Sequence, residues 1–145
     1  MPIDNEQKVV VVGLGYIGLP TAAVIARAGA YVLGLDVSQH VVDTVNEGRV
    51  HIEEVDLHGL VQGVVDRGRL RASTTPEPAD AFVIAVPTPI REGHAPDISY
   101  VLSAAQTIAP VLKAGDLVIL ESTSPIGTTE QVAELIAQAR PDLKV

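Results

Sequence analysis

The stretch Lys8–Ala28, KVVVVGLGYIGLPTAAVIARA, decides how the rest of the chain is read. Val9 to Val12 form an unbroken apolar run. That is the pattern of a strand buried on both faces, since a half-buried strand alternates apolar with polar residues. Gly13, Gly15 and Gly18 come next with G-x-G-x-x-G spacing, and Ala22, Ala23, Ile25 and Ala26 supply the apolar face of a helix that can end at Gly29. Strand, glycine turn and helix in that order make a cradle for a pyrophosphate. Gly13 turns the chain off the strand, Gly15 lets the backbone approach the phosphates, and Gly18 lets helix and strand pack closely. The free amides and positive dipole end of the helix then face the phosphates. Pro20 falls near the first helical turn, where a missing N–H costs at most one early bond.

The residues after the motif put it to the test. Tyr31 to Leu35 reads as a second strand, and Asp36 ends it 18 positions after Gly18, where a dinucleotide fold carries the acid that bonds the adenosine ribose. A carboxylate there favours the free hydroxyls of NAD and repels the 2′-phosphate of NADP. Val37, Ser38 and Gln39 offer no arginine to reverse that preference. The bland alternatives are a glycine-rich turn with no ligand and an aspartate that merely precedes the helix cap Ser38.

At 145 residues and 47% hydrophobic, the chain can bury a core and reads as one domain. No apolar run reaches the length of a membrane span, and MPIDNEQ lacks the basic start and apolar centre of a signal peptide, so the expectation is a cytoplasmic protein. With no cysteine there is no disulfide, thiolate metal site or cysteine nucleophile in this sequence. A net charge of −8 with scattered Lys and Arg argues against nucleic acid as a partner. His40, His51, His58 and His94 show no ligand-like pairing with carboxylates, so no metal site is expected.

Further along, Ser38 can cap a short helix carrying Val41, Val42 and Val45, with Gly48 just past its end. Val55, Leu57, Leu60, Val61, Val64 and Val65 suggest a helix ending near Gly68, and Leu70 to Ser73 a short strand. Thr74 to Pro78 reads as a turn, and Ala81 to Val86 as a buried strand running into Pro87, Thr88 and Pro89. Asp97 is placed to cap a helix whose Ile98, Val101, Ala105, Ile108 and Leu112 share a face, and Pro110 must kink or end it. Leu117 to Leu120 is a fifth apolar run, followed by ESTSPIGTTE. There Thr128 and Gln131 suggest a capping box for a last helix to about Gln138.

These elements predict an α/β fold, a Rossmann-type doubly wound parallel sheet. Ligands of such sheets bind at the carboxyl ends of the strands, which singles out Thr88 and the segment Glu121 to Ser124. On position alone Thr88 reads equally as a cofactor contact or an ordinary loop threonine. Ser122 and Thr123 have no histidine or lysine base placed near them by sequence, so binding or capping suits them better than nucleophilic attack.

GLGYIGLP, Asp36, AVPTP and ESTSPIG, in this order, resemble the nucleotide-sugar dehydrogenases that oxidise UDP-glucose, GDP-mannose and related sugars. The resemblance runs through almost the whole chain. It implies that Gly13, Gly15, Tyr16, Ile17 and Gly18 wrap the NAD pyrophosphate and that Asp36 holds the adenosine ribose. It also implies that Thr88 and Thr123 line the cofactor, Thr123 toward the nicotinamide and the reacting centre. The family reaction converts a C6 alcohol of the sugar to a carboxylate with two NAD+ and a cysteine that carries the aldehyde-level intermediate.

That cysteine, its lysine and asparagine partners and the sugar-binding domain lie downstream of the matched segment in the family. The expectation is therefore a truncated NAD-binding domain, residues 1–145, that binds NAD(H) but holds none of the family's catalytic residues, with Thr123 a candidate contributor near the reacting centre. A UDP-sugar would bind only with the missing C-terminal part, and the full-length protein would be a homo-oligomer. Two other readings stay open: a stand-alone NAD-sensing module without catalysis, and another dehydrogenase on the same cofactor fold, such as one acting on 3-hydroxy acids.

Overall fold

A computed structural model describes residues 7–145. Among these residues, five parallel strands and five α-helices follow in the order β1 (Lys8–Val12), α1 (Gly18–Arg27), β2 (Tyr31–Leu35), α2 (Gln39–Asn46), α3 (Leu57–Asp66), β3 (Leu70–Ser73), β4 (Ala81–Ile84), α4 (Ser99–Ile108), β5 (Leu117–Leu120) and α5 (Thr128–Ala139). The sheet order is β3-β2-β1-β4-β5. Central β1 pairs through Val9 to Val12 with Val32 to Leu35 on one side and with Ala81 to Ile84 on the other. Its apolar run is explained by that position, because Val11 packs under α1 to α3 and Val10 under α4 and α5. The sheet is doubly wound, with a core on each face.

The connection from β3 to β4 carries no helix. It must travel back along one strand and sideways past β2 and β1, roughly 19 Å in all. The segment 74–80 spans that distance only when extended, and Pro76 and Pro78 suit such a path. Glu77 braces it, with Oε1 accepting from Lys8 Nζ at 2.9 Å and Oε2 from Arg71 Nη1 at 2.7 Å. The crossover therefore ties β1 to β3 from below the sheet.

Several local expectations are corrected. β4 ends at Ile84, although Ala85 still donates to Val12 O at 2.8 Å and Val86 O accepts from the Ser122 hydroxyl, so Ala85 and Val86 extend the strand's path without a ladder partner in β5. Helix α4 starts at Ser99 after an Ile98 whose side chain offers no acceptor, while Asp97 Oδ1 accepts the Ser99 N–H at 2.9 Å from one residue further out. It ends at Ile108, two residues ahead of Pro110, and the chain tightens into a 3-10 turn over Ala109–Val111. The capping box at Thr128 does not form. Thr128 is already helical, its hydroxyl donates to Pro125 O at 2.8 Å, and Gly127 at φ 92° supplies the entry turn. Ser38 does cap α2, accepting from Val41 N–H at 3.3 Å.

β5 departs from the pattern its composition suggests. Val118 and Leu120 pack into the core with α4 and α5, but Leu117 and Ile119, on the other face, are 56% and 42% exposed. Among the described residues β5 is one edge of the sheet and β3 the other. No helix of the described residues is long and apolar enough to cross a membrane.

Candidate functional site

The carboxyl ends of β1, β2, β4 and β5 meet at one end of the sheet. At Gly13 the chain leaves β1 with φ 98°, and a Cβ there would stand 2.6 Å from Ala85 O, so only glycine fits. A Cβ on Gly18 would lie 1.7 Å from Gly13 O, which makes this glycine the contact point between helix and turn. A Cβ on Gly15 meets nothing within 4 Å. The first glycine and the third serve the protein's own packing, whereas the second faces open space. Tyr16 and Ile17 flank it, 65% and 58% exposed.

Helix α1 begins directly behind this crest. No side chain caps its N-terminus and no acidic residue lies in its first turn; Leu19 N–H donates to Gly15 O at 3.1 Å and Pro20 carries no N–H, so what the helix offers the crest is chiefly the positive end of its dipole. Leu14, between the first two glycines, is fully buried and seats its side chain over Gly34 of β2. A Cβ on Gly34 would stand 2.7 Å from Leu14 Cδ2. An isolated glycine inside a strand marks such a close approach. This was the available sequence signal for a residue that the motif leaves unspecified.

Asp36 sits at the end of β2 with both carboxylate oxygens engaged by backbone amides. Oδ2 accepts from Leu14 N–H at 3.0 Å and Oδ1 from Ser38 N–H at 2.9 Å. Each oxygen retains a further lone pair, so the group is oriented and still able to accept from a ligand's hydroxyls.

A cleft of about 360 Å3 opens beside it, lined by Gly13, Asp36, Val86, Pro87, Tyr100 and Thr107 among others. The cleft is mostly apolar, with Asp36 at its rim, which suits a flat heteroaromatic ring next to a polyol. Its far wall is helix α4. Tyr100, Ser103, Ala104 and Thr107 all line it and recur at i, i+3, i+4 and i+7. That stripe lies beside the core-facing one and is readable in the sequence once the helix is known to border the site.

The remaining sequence-predicted residues stand outside this cleft. Thr88 is half-buried between its two prolines, and Thr123 is exposed beyond β5. Between them, Ser122 is committed to structure, its Oγ 2.9 Å from Val86 O and 3.2 Å from Ile84 O. It braces the tails of β4 and β5 against each other and is no free nucleophile. Glu121, just before it, holds the hydroxyl of Thr21 in α1 at 2.7 Å.

A wider hollow of about 670 Å3 lies between α2 and α3, bordered by Arg49, Glu53, Glu54 and His58. Neither the glycine crest nor Asp36 borders it, so it is not taken as the site. Among the described residues no three His, Cys, Asp or Glu side chains are grouped to hold a metal ion.

Comparison with known proteins agrees with this geometry. Residues 7–145 match the model of the UDP-glucose/GDP-mannose dehydrogenase family, NAD binding domain. The chain is 60% identical over 142 residues to an NDP-N-acetyl-D-galactosaminuronic acid dehydrogenase of Ralstonia nicotianae, covering 97% of this chain and 34% of that protein. It is 61% identical over 133 residues to the UDP-N-acetyl-D-mannosamine dehydrogenase of Escherichia coli, covering 92% and 32%. Among solved structures, the UDP-N-acetyl-mannosamine dehydrogenase of Staphylococcus aureus superposes with a TM-score of 0.86 at 43% identity, over 91% of this chain and 33% of that one. The chain thus spans about a third of the length of the relatives it matches. From the glycine crest to the last helix, it belongs to the UDP-glucose/GDP-mannose dehydrogenase family, as the NAD binding domain of that family.

Proposed function

We propose that this chain is the cofactor-binding part of an NAD-dependent dehydrogenase that oxidises the C6 alcohol of UDP-N-acetyl-D-mannosamine to the uronic acid. The observation that carries the reading is the Asp36 carboxylate, held at the end of β2 by the amides of Leu14 and Ser38 beside the open crest at Gly15. In this reading Gly13, Gly15, Tyr16, Ile17 and Gly18 wrap the pyrophosphate and Asp36 takes the adenosine ribose hydroxyls. The adenine enters the cleft against α4, and Thr88 and Thr123 line the nicotinamide half. The choice of sugar is supported by the mannosamine enzymes among the relatives.

Bound NAD+ supplies the hydride acceptor, two equivalents being reduced to NADH as the CH2OH group and one water become a carboxylate with release of three protons. This chain contributes binding and orientation. It contains no cysteine to hold an aldehyde-level intermediate, so turnover calls on a catalytic cysteine and a sugar-binding domain from outside residues 1–145, in a protein that works as a homo-oligomer.

A chimera tests this directly. Joined to the rest of the Escherichia coli relative in place of that protein's own first third, the chain should give an enzyme that forms two NADH per UDP-N-acetyl-D-mannosamine consumed. A chimera that folds and binds NADH yet oxidises no nucleotide sugar would contradict the assignment.

A further inference from the structure

The strand order fixes which half of a dinucleotide lies where. Asp36 puts the adenosine half over β2, and the glycine crest puts the pyrophosphate over β1. With β2-β1-β4-β5 side by side, the other half falls across the carboxyl ends of β4 and β5. Glu121 is the first residue past β5. Its backbone N–H donates to Ile84 O at 2.9 Å, and Ser122 locks the next residue to the tail of β4. Its side chain reaches across to α1, where Oε1 accepts from Thr21 Oγ1 at 2.7 Å. The carboxylate is therefore positioned from two sides, between the β5 tail and the helix that fronts the pyrophosphate.

None of the ion pairs among the described residues includes Glu121. A negative charge without a cation, held at Thr21 on the helix that starts behind the crest, weakens pyrophosphate binding in both redox forms of the cofactor. The two forms differ only at the nicotinamide, which is a cation when oxidised and neutral when reduced. We infer that Glu121 biases this site toward the oxidised dinucleotide, its unpaired carboxylate facing the nicotinamide half from the end of β5. An enzyme that must exchange spent NADH for fresh NAD+ within each catalytic cycle gains from that bias, because product leaves and co-substrate enters more readily. The inference rests on the NAD reading of the site and adds to it a residue that selects the redox form.

The test is calorimetric titration of the chain with NAD+ and with NADH, in wild type, Glu121→Gln and Thr21→Val. Glu121→Gln keeps an acceptor for Thr21 and removes only the charge. It should raise the ratio Kd(NAD+)/Kd(NADH) about three- to tenfold, the size expected of a partly screened charge pair. Thr21→Val removes the bond and keeps the charge, so the ratio should move less than twofold. A ratio unchanged in Glu121→Gln, with both ligands still bound, overturns the role of Glu121 and leaves the NAD assignment standing. Equal shifts in the two variants also overturn it, since the bond as a brace would then account for the effect. Wild-type chain that binds neither form overturns the NAD reading and this inference with it.

Discussion

The backbone N–H of Leu14 donates to Oδ2 of Asp36 at 3.0 Å, joining the middle of the glycine turn to the end of the second strand. Gly34 makes the junction possible by leaving room for the buried Leu14 side chain. The glycine turn and the Asp36 carboxylate, which the proposed function assigns to phosphate and ribose, are therefore one piece. Such preorganisation saves ordering cost on binding.

Replacing Asp36 by Asn tests that junction. The amide side chain has one acceptor oxygen, so either Leu14 N–H or Ser38 N–H is left facing an NH2 group, which costs about 1 kcal/mol of stability. The loss of the charge-assisted bonds to ribose should lower NADH affinity by roughly ten- to a hundredfold and narrow the gap to NADPH. Calorimetry with both cofactors and a melting curve check the two effects separately. Unchanged NADH affinity would mean that Asp36 serves the turn alone.

The three glycines should not respond alike to alanine. Gly18→Ala drives a Cβ into the Gly13 carbonyl and should destabilise the fold by several kcal/mol or prevent it from forming. Gly15→Ala meets no protein atom, so its melting temperature should stay within a few degrees of wild type while NADH affinity falls at least tenfold. A Gly15→Ala chain that binds NADH normally would place the pyrophosphate elsewhere.

The brace at Glu77 predicts an acid-dependent stability. Hydrogen bonding to Arg71, and next to Lys8, holds its carboxyl down to about 2 from an ordinary 4.5. A carboxyl depressed in the folded state contributes stability that is complete above the unfolded value and is lost as pH falls through the folded one. Glu77→Gln should therefore melt below wild type at pH 7, and the two curves should converge between about pH 4.5 and 2. Because these side chains are a third or more exposed, high salt should shrink the difference. A gap that persists unchanged to pH 2 would show that packing, not charge, sets the role of Glu77.

Much of this architecture is legible in the sequence because its strands are short and bounded by turn residues. Tyr31–Leu35, Leu70–Ser73 and Leu117–Leu120 have the bounds the sequence suggests. The misreadings lie where a local pattern has a tertiary competitor. Thr128 has the composition of a cap, but its hydroxyl goes to Pro125 O because Gly127 already makes the turn. Leu117 and Ile119 have the composition of core, but burial depends on what lies beyond an edge strand, which no local pattern encodes. Within the site, the glycines and Asp36 announce themselves by spacing. The α4 wall of the cleft and the Leu14–Gly34 contact do not, since each needs two segments far apart in the chain to be placed side by side.

Calorimetric titration of the purified chain with NADH and with NADPH probes the cofactor assignment at its root. Saturable binding of NADH and much weaker binding of NADPH are expected, because in the proposed placement the Asp36 carboxylate would meet a ribose hydroxyl in one and a phosphate in the other. Equal affinity for the two, or tighter binding of NADPH, would contradict the placement of the adenosine ribose at Asp36.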